Sequence, residues 1–156
     1  MNMNTITIMN TTNIMPIRFR ATGRLRYSPT NNGKIVRRDG GTTKWWLVID
    51  CDPNIGRYYR ELYRMDNYSV RTIQRPAWDA HISVIANEKP AWDSHWRKYE
   101  GRRIEYEYIH YAQSNGTYVW LPVWCEEALD IREELGLKRN PYHPLHLTVG
   151  NCKETQ

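Results

Sequence analysis

The chain has 156 residues, a net charge of +5 and a hydrophobic fraction of 40%, which suits one domain with a real core. Its longest apolar runs, Trp45–Ile49 and Val119–Val123, fall far short of the ~20 residues of a membrane-spanning helix, and Met1–Met15, rich in Asn, Thr and Met, lacks the layout of a secretion signal and reads as a loosely ordered lead-in. Cys51, Cys125 and Cys152 are an odd number without metal-ligand spacing, so no disulfide framework is expected and a reducing cytosol is the default.

The basic charge is concentrated in Met1–Lys44, which holds eight of the 22 basic residues and one of the 17 acidic ones. Ile17–Tyr27 alternates, with Ile17, Phe19, Ala21, Leu25 and Tyr27 on one face and Arg18, Arg20, Thr22, Arg24 and Arg26 on the other. That pattern predicts a half-buried strand with a basic outer face. Ser28–Gly33 has turn chemistry, and Lys34–Arg38 is predicted to return as the partner of a basic hairpin spanning 17–38. Such a face is either solvated or an anion-attracting wall. Trp45–Cys51 reads as a central strand. Asp52-Pro53 then opens a helix, because Asp caps and Pro is tolerated at the first helical position, with Ile55, Tyr58, Tyr59 and Leu62 as its buried stripe. Arg75–Trp78 leads into a strand over Ala80–Ile85. The second half has the same plan: strands at Arg103–Tyr111 and Thr117–Trp124 around a Ser114-Asn115-Gly116 turn, then a helix over Glu126–Leu137 that ends near Gly136. A proline loop, Asn140–Pro144, precedes a strand over Leu145–Val149.

The two strands after the helices carry the chemistry. They contain His81-Ile82-Ser83 and His146-Leu147-Thr148, 65 residues apart, and residues two apart on a strand share a face. Each therefore presents an imidazole beside a hydroxyl. This is the equipment for phosphoryl transfer without metal: one histidine takes a proton from the attacking oxygen, the other protonates the leaving oxygen, and the hydroxyls hold the non-bridging oxygens. The alternatives are strand histidines bonded to neighbours, or a metal site with His81 and His146 as two ligands, although zinc ordinarily takes three or four protein ligands; Asp79 shares the His81 face, but no carboxylate flanks His146 within three residues. His95, His110 and His143 read as structural or surface residues. Seven Trp and 11 Tyr stand against one Phe, a bias toward rings that stack while partly wet.

The tetrapeptides His81-Ile82-Ser83-Val84 and His146-Leu147-Thr148-Val149 resemble the signature of the 2H phosphoesterases. Trp45-Trp46-Leu47-Val48-Ile49, Arg57-Tyr58-Tyr59-Arg60, Pro76–Ser83, Trp120-Leu121-Pro122-Val123 and Pro144–Gly150 are similar to the phage-encoded phosphodiesterases that defeat cyclic-oligonucleotide antiphage signalling (anti-CBASS proteins). The resemblance implies an α+β, two-lobed fold with a central cleft between antiparallel sheets, the two motifs facing each other across it. It implies a single domain over residues 1–156 that hydrolyses the 3′-5′ bonds of cyclic di- and trinucleotides in the host cytoplasm. No metal or other cofactor, no stable nucleic-acid partner and no membrane would be involved. His81, Ser83, His146 and Thr148 would be catalytic. Trp46, Tyr111 and Trp120 are candidates for base stacking, and Lys138 and Arg139 for positive charge near a phosphate. The rival functions are an RNA-end or 2′-5′ oligonucleotide phosphodiesterase and a noncatalytic nucleic-acid-binding module built on the basic hairpin.

Overall fold

A computed structural model of the protein describes residues 16–37, 39–67 and 72–152, so the expectation for Met1–Met15 lies outside the described residues. The strands are β1 (Arg18–Tyr27), β2 (Trp46–Asp50), β3 (His81–Ala86), β4 (Arg103–Ile109), β5 (Gln113–Ser114), β6 (Tyr118–Trp124) and β7 (His146–Asn151). Two helices join them, α1 (Pro53–Asp66) and α2 (Glu126–Glu134). The sheet order is β4-β1-β2-β3-β7-β6-β5, every pairing is antiparallel, and β4 also pairs with β6. That last pairing closes six strands into a barrel.

The two-lobed α+β fold with a cleft is therefore incorrect. Among the described residues the chain is mostly β, with one closed antiparallel barrel and two short helices, and the motif strands β3 and β7 are hydrogen-bonded neighbours in it. The strand patterns are compatible with either arrangement, since alternation fixes which face of a strand is buried and leaves its neighbour open. The basic hairpin is also corrected. β1 pairs with β2 on one side and β4 on the other, while Lys34 and Val36 bridge only to Asn31 and Thr42 in the intervening loop; Arg38 lies outside the described residues.

The barrel interior is filled by the apolar phase of each strand: Leu25 and Tyr27, Leu47 and Ile49, Ile82 and Val84, Ile104 and Tyr106, Val119 and Leu121, Leu147 and Val149, all essentially buried. Both helices pack their apolar sides on this core. Asp52 caps α1 by accepting the Asn54 N–H at 2.9 Å, and its inward side is Ile55, Tyr59, Leu62 and Tyr63, whereas Tyr58 is exposed. Helix α2 contributes Ala128, Ile131 and Leu135. It stops where Gly136 adopts φ +77°, earlier than the expected Leu137, with the Leu137 N–H turned back to the Arg132 carbonyl.

Candidate active site

With Ile82, Val84, Leu147 and Val149 pointing inward, strand alternation places His81, Ser83, His146 and Thr148 on the outer wall of the barrel. The β3–β7 register sets His81 opposite Thr148 and Ile82 opposite Leu147, and continuing it brings Ser83 abreast of His146. Each imidazole thus faces the hydroxyl of the other motif. The two histidines are diagonal neighbours, a relation that separates side-chain origins by about 7–8 Å, enough for a tetrahedral phosphate between them.

Both rings are held in the same way. His81 Nδ1 lies 2.8 Å from the Asp79 carbonyl, and His146 Nδ1 lies 2.8 Å from the Pro144 carbonyl. A carbonyl only accepts, so Nδ1 carries the proton in each and Nε2 is left for proton transfer. For His81 the carbonyl is aimed by a backbone in the left-handed region, Asp79 at φ +57°. Its carboxylate takes the Ala80 N–H at 2.8 Å and sits 3.7 Å from Arg60 and 3.8 Å from Arg75. Asp79 therefore serves as a bracket and is not turned toward the histidines as a metal ligand. Arg60 also donates to the Val149 carbonyl at 2.7 Å, so one half-buried guanidinium ties the approach to β3 to the strand carrying Thr148. The room for it depends on Gly150, where an added Cβ would lie 2.5 Å from Ile73 and 3.1 Å from Arg60.

The surroundings of the two motifs differ. His81 is only 9% exposed, with the Trp78 ring 5.4 Å away edge-on. Burial pushes its pKa below the ordinary imidazole value, as does the nearby His146, while the Asp79 carbonyl and the Asp50 carboxylate pull the other way. Asp50 is the cross-strand partner of His81 and is gripped by Arg26 through two bonds of 2.7 and 2.9 Å. His146 stands further into solvent, beside the Trp120 ring at 6.1 Å.

The remaining site candidates divide. Trp120 is opposite Thr148 in the β6–β7 register and belongs to the site. Trp46 is two positions before Val48, the partner of Ser83, and packs on Trp78 at 5.4 Å with the Arg37 guanidinium 5.0 Å from its ring. The indole N–H groups of Trp46 and Trp78 are buried and have no hydrogen-bond partner among the described residues. Tyr111 is 72% exposed in the loop before β5 and packs on nothing in the site. Arg139 is held by Glu126, Asp130 and Glu133 of α2. Lys138 is exposed, and its carbonyl accepts from Arg132 at 2.9 Å.

Trp78, Asp50, Arg26 and Arg60 enter the site without having been singled out in the sequence. Arg26 was legible as part of the basic phase of its strand; Trp78 lies three residues before His81. Among the described residues no three His, Cys, Asp or Glu side chains converge to hold a metal ion, and no helix is long and apolar enough to cross a membrane. No family model, curated protein or solved structure matches this chain.

Proposed function

We propose that the chain is a phosphodiesterase of the two-histidine kind that cleaves 3′-5′ bonds of cyclic di- and trinucleotides, and that by doing so in an infected host's cytoplasm it silences cyclic-oligonucleotide defence signalling. The observation that supports this reading best is the reciprocal arrangement on the β3–β7 pair: two imidazoles with identically fixed Nδ1 protons, each abreast of the other motif's hydroxyl. The phosphate sits between them with its non-bridging oxygens on Ser83 and Thr148. His81, kept neutral by burial, takes the proton of the nucleophile at Nε2. The more exposed His146 protonates the 5′-oxygen as it leaves. The favoured nucleophile is the adjacent ribose 2′-hydroxyl, already held beside phosphorus; its attack expels the 5′-oxygen and forms a 2′,3′-cyclic phosphate. Trp46, Trp78 and Trp120 flank the motifs and offer rings on which bases stack, worth ~1–3 kcal/mol per base.

The binding-module reading draws no support from the basic face of β1. Arg18 pairs with Glu107, Arg20 with Glu105 and Glu107, and Arg26 with Asp50, so much of that positive charge is cancelled across the strands. The test is incubation with a panel of cyclic di- and trinucleotides, and with an RNA ending in a 2′,3′-cyclic phosphate, in excess EDTA with product masses read out. Linearised cyclic nucleotides are expected. Turnover of the RNA end alone would move the assignment to RNA-end processing, and turnover only after a divalent metal is restored would overturn the mechanism.

A further inference from the structure

The wall that carries the histidines continues around the barrel as one cross-strand row. Arg103 is opposite Arg24, Arg24 opposite Asp50, Asp50 opposite His81, His81 opposite Thr148 and Thr148 opposite Trp120. At the far end of the row two arginines are direct cross-strand neighbours, a like-charge pairing that destabilises a sheet unless something anionic is shared between them. Neither Arg24 nor Arg103 has a carboxylate within ion-pair distance among the described residues, unlike Arg18, Arg20 and Arg26 on the same face. Each is instead oriented by a neutral acceptor, Arg24 by the Gly101 carbonyl at 3.1 Å and Arg103 by the Thr22 hydroxyl at 3.3 Å.

Both arginines line a depression of about 440 Å³ that Asp50 and Asp52 also line. Those carboxylates are already engaged: both Asp50 oxygens accept from Arg26, and Asp52 Oδ1 accepts the Asn54 N–H that begins α1. We propose that the depression is a second anion subsite, in which Arg24 and Arg103 hold a phosphate of the substrate other than the one being cleaved. Guanidinium forks suit phosphate geometry. With strands about 4.8 Å apart, Arg24 lies about 10 Å along the row from His81. This inference rests on the phosphodiesterase reading and narrows it: a substrate with two phosphates fills both positions, and one with a single phosphodiester leaves the arginine pair empty.

The test compares the wild-type chain, the Arg24→Gln/Arg103→Gln double variant and the control Arg20→Gln. The probes are a 3′,3′-cyclic dinucleotide, with two phosphates, and a linear dinucleoside monophosphate, with one. The ratio of kcat/KM for the first probe over the second should fall at least tenfold in the double variant and hold in Arg20→Gln. Calorimetric binding of the cyclic dinucleotide should become less salt-dependent when one phosphate is no longer neutralised. An active double variant with an unchanged ratio overturns the subsite and leaves the phosphodiesterase reading intact. If the wild-type chain turns over neither probe, that reading fails, and calorimetry decides the subsite alone. Binding whose salt slope depends on the two arginines supports it, and no binding overturns it.

Discussion

Arg132 ties β3 and the segment just beyond it to the loop that leads into β7, and its replacement by Met should be among the most damaging single changes outside the barrel core. The guanidinium is 1% exposed. It donates to the Lys138 carbonyl at 2.9 Å, the Val84 carbonyl at 2.9 Å, and both oxygens of Glu88 at 2.7 and 2.9 Å. Methionine keeps much of the buried stem but strands two carbonyls and a half-buried carboxylate. Breaking a buried pair from one side costs about 3–5 kcal/mol, a large part of the ~5–15 kcal/mol that a domain has in total. Urea unfolding followed by tryptophan fluorescence would read the loss as a lower midpoint at unchanged slope. Heating should show a Tm lower by roughly 6–20 °C. The pH dependence gives a second readout. Arg132 holds the Glu88 carboxyl below the usual carboxylate range, so this ion pair stabilises the fold above the unfolded-state value of about 4.3, and its contribution disappears as pH falls through the lower folded value. The variant should lack that part of the acid sensitivity, and adding Glu88→Gln should recover about 1 kcal/mol or more by removing the stranded charge. A loss below about 1 kcal/mol in Arg132→Met, or acid sensitivity equal to wild type, would refute the reasoning.

His81→Ala and His146→Ala should each lower turnover of a cyclic dinucleotide by about 10²–10⁴-fold with the circular dichroism spectrum retained, and Ser83→Ala and Thr148→Ala should be milder; a fully active single histidine variant would remove that residue from the mechanism. Because the folded-state pKa of His81 is lowered and the base must be neutral, kcat/KM should rise through a midpoint below the ordinary imidazole value of about 6.5 and fall again as the acid deprotonates, and a rising limb above that value would reverse the roles of the two histidines. The buried Cys51 thiol is pushed up to about 12 and that of Cys125 is also raised by burial, so a thiol reagent at pH 8 should label Cys152 in the folded chain and the other two only on unfolding. Equal labelling of all three by mass spectrometry would show that the core around β2 and β6 opens readily.

The strands and their buried phases were legible because alternation is a local signal. Ile82/Val84 and Leu147/Val149 read as inward from the sequence and are inward in the barrel. The helix start at Asp52-Pro53 was equally plain. What the sequence left open was pairing, which depends on contacts between residues far apart. Ser28–Gly33 has turn chemistry, so a hairpin with Lys34–Arg38 was the economical reading. Instead β1 pairs along its length with β4, matching Arg18 and Arg20 to Glu105 and Glu107. Arg139 shows the same limit at the level of one side chain. Its loop lies close in sequence to the second motif, but three carboxylates presented by one side of α2 capture it. Tyr58 and Tyr59 both fit a helical stripe within one residue, and only Tyr59 turns inward, next to Tyr108.

The barrel itself accounts for where chemistry is possible. Six strands enclose too little space for a ligand once the inward side chains are in place, so a polar site has to lie on the wall or at an end. Antiparallel pairing of two strands that both read His-apolar-hydroxyl, in the register His81↔Thr148, creates a local twofold relation centred on Ile82 and Leu147. That relation matches each imidazole with the other strand's hydroxyl. A slip of one residue would offset the two motifs and send one strand's histidine and hydroxyl toward the core, so the same apolar residues that close the barrel also fix the spacing of the site. The twofold relation ends at the next strands. Beyond β3 stand Asp50 and Arg26, with Trp78 over the ring; beyond β7 stand Trp120 and Pro122. Two equivalent imidazoles would compete for the same proton. Burial lowers the pKa of His81, and near neutral pH that favours the neutral form a proton acceptor needs.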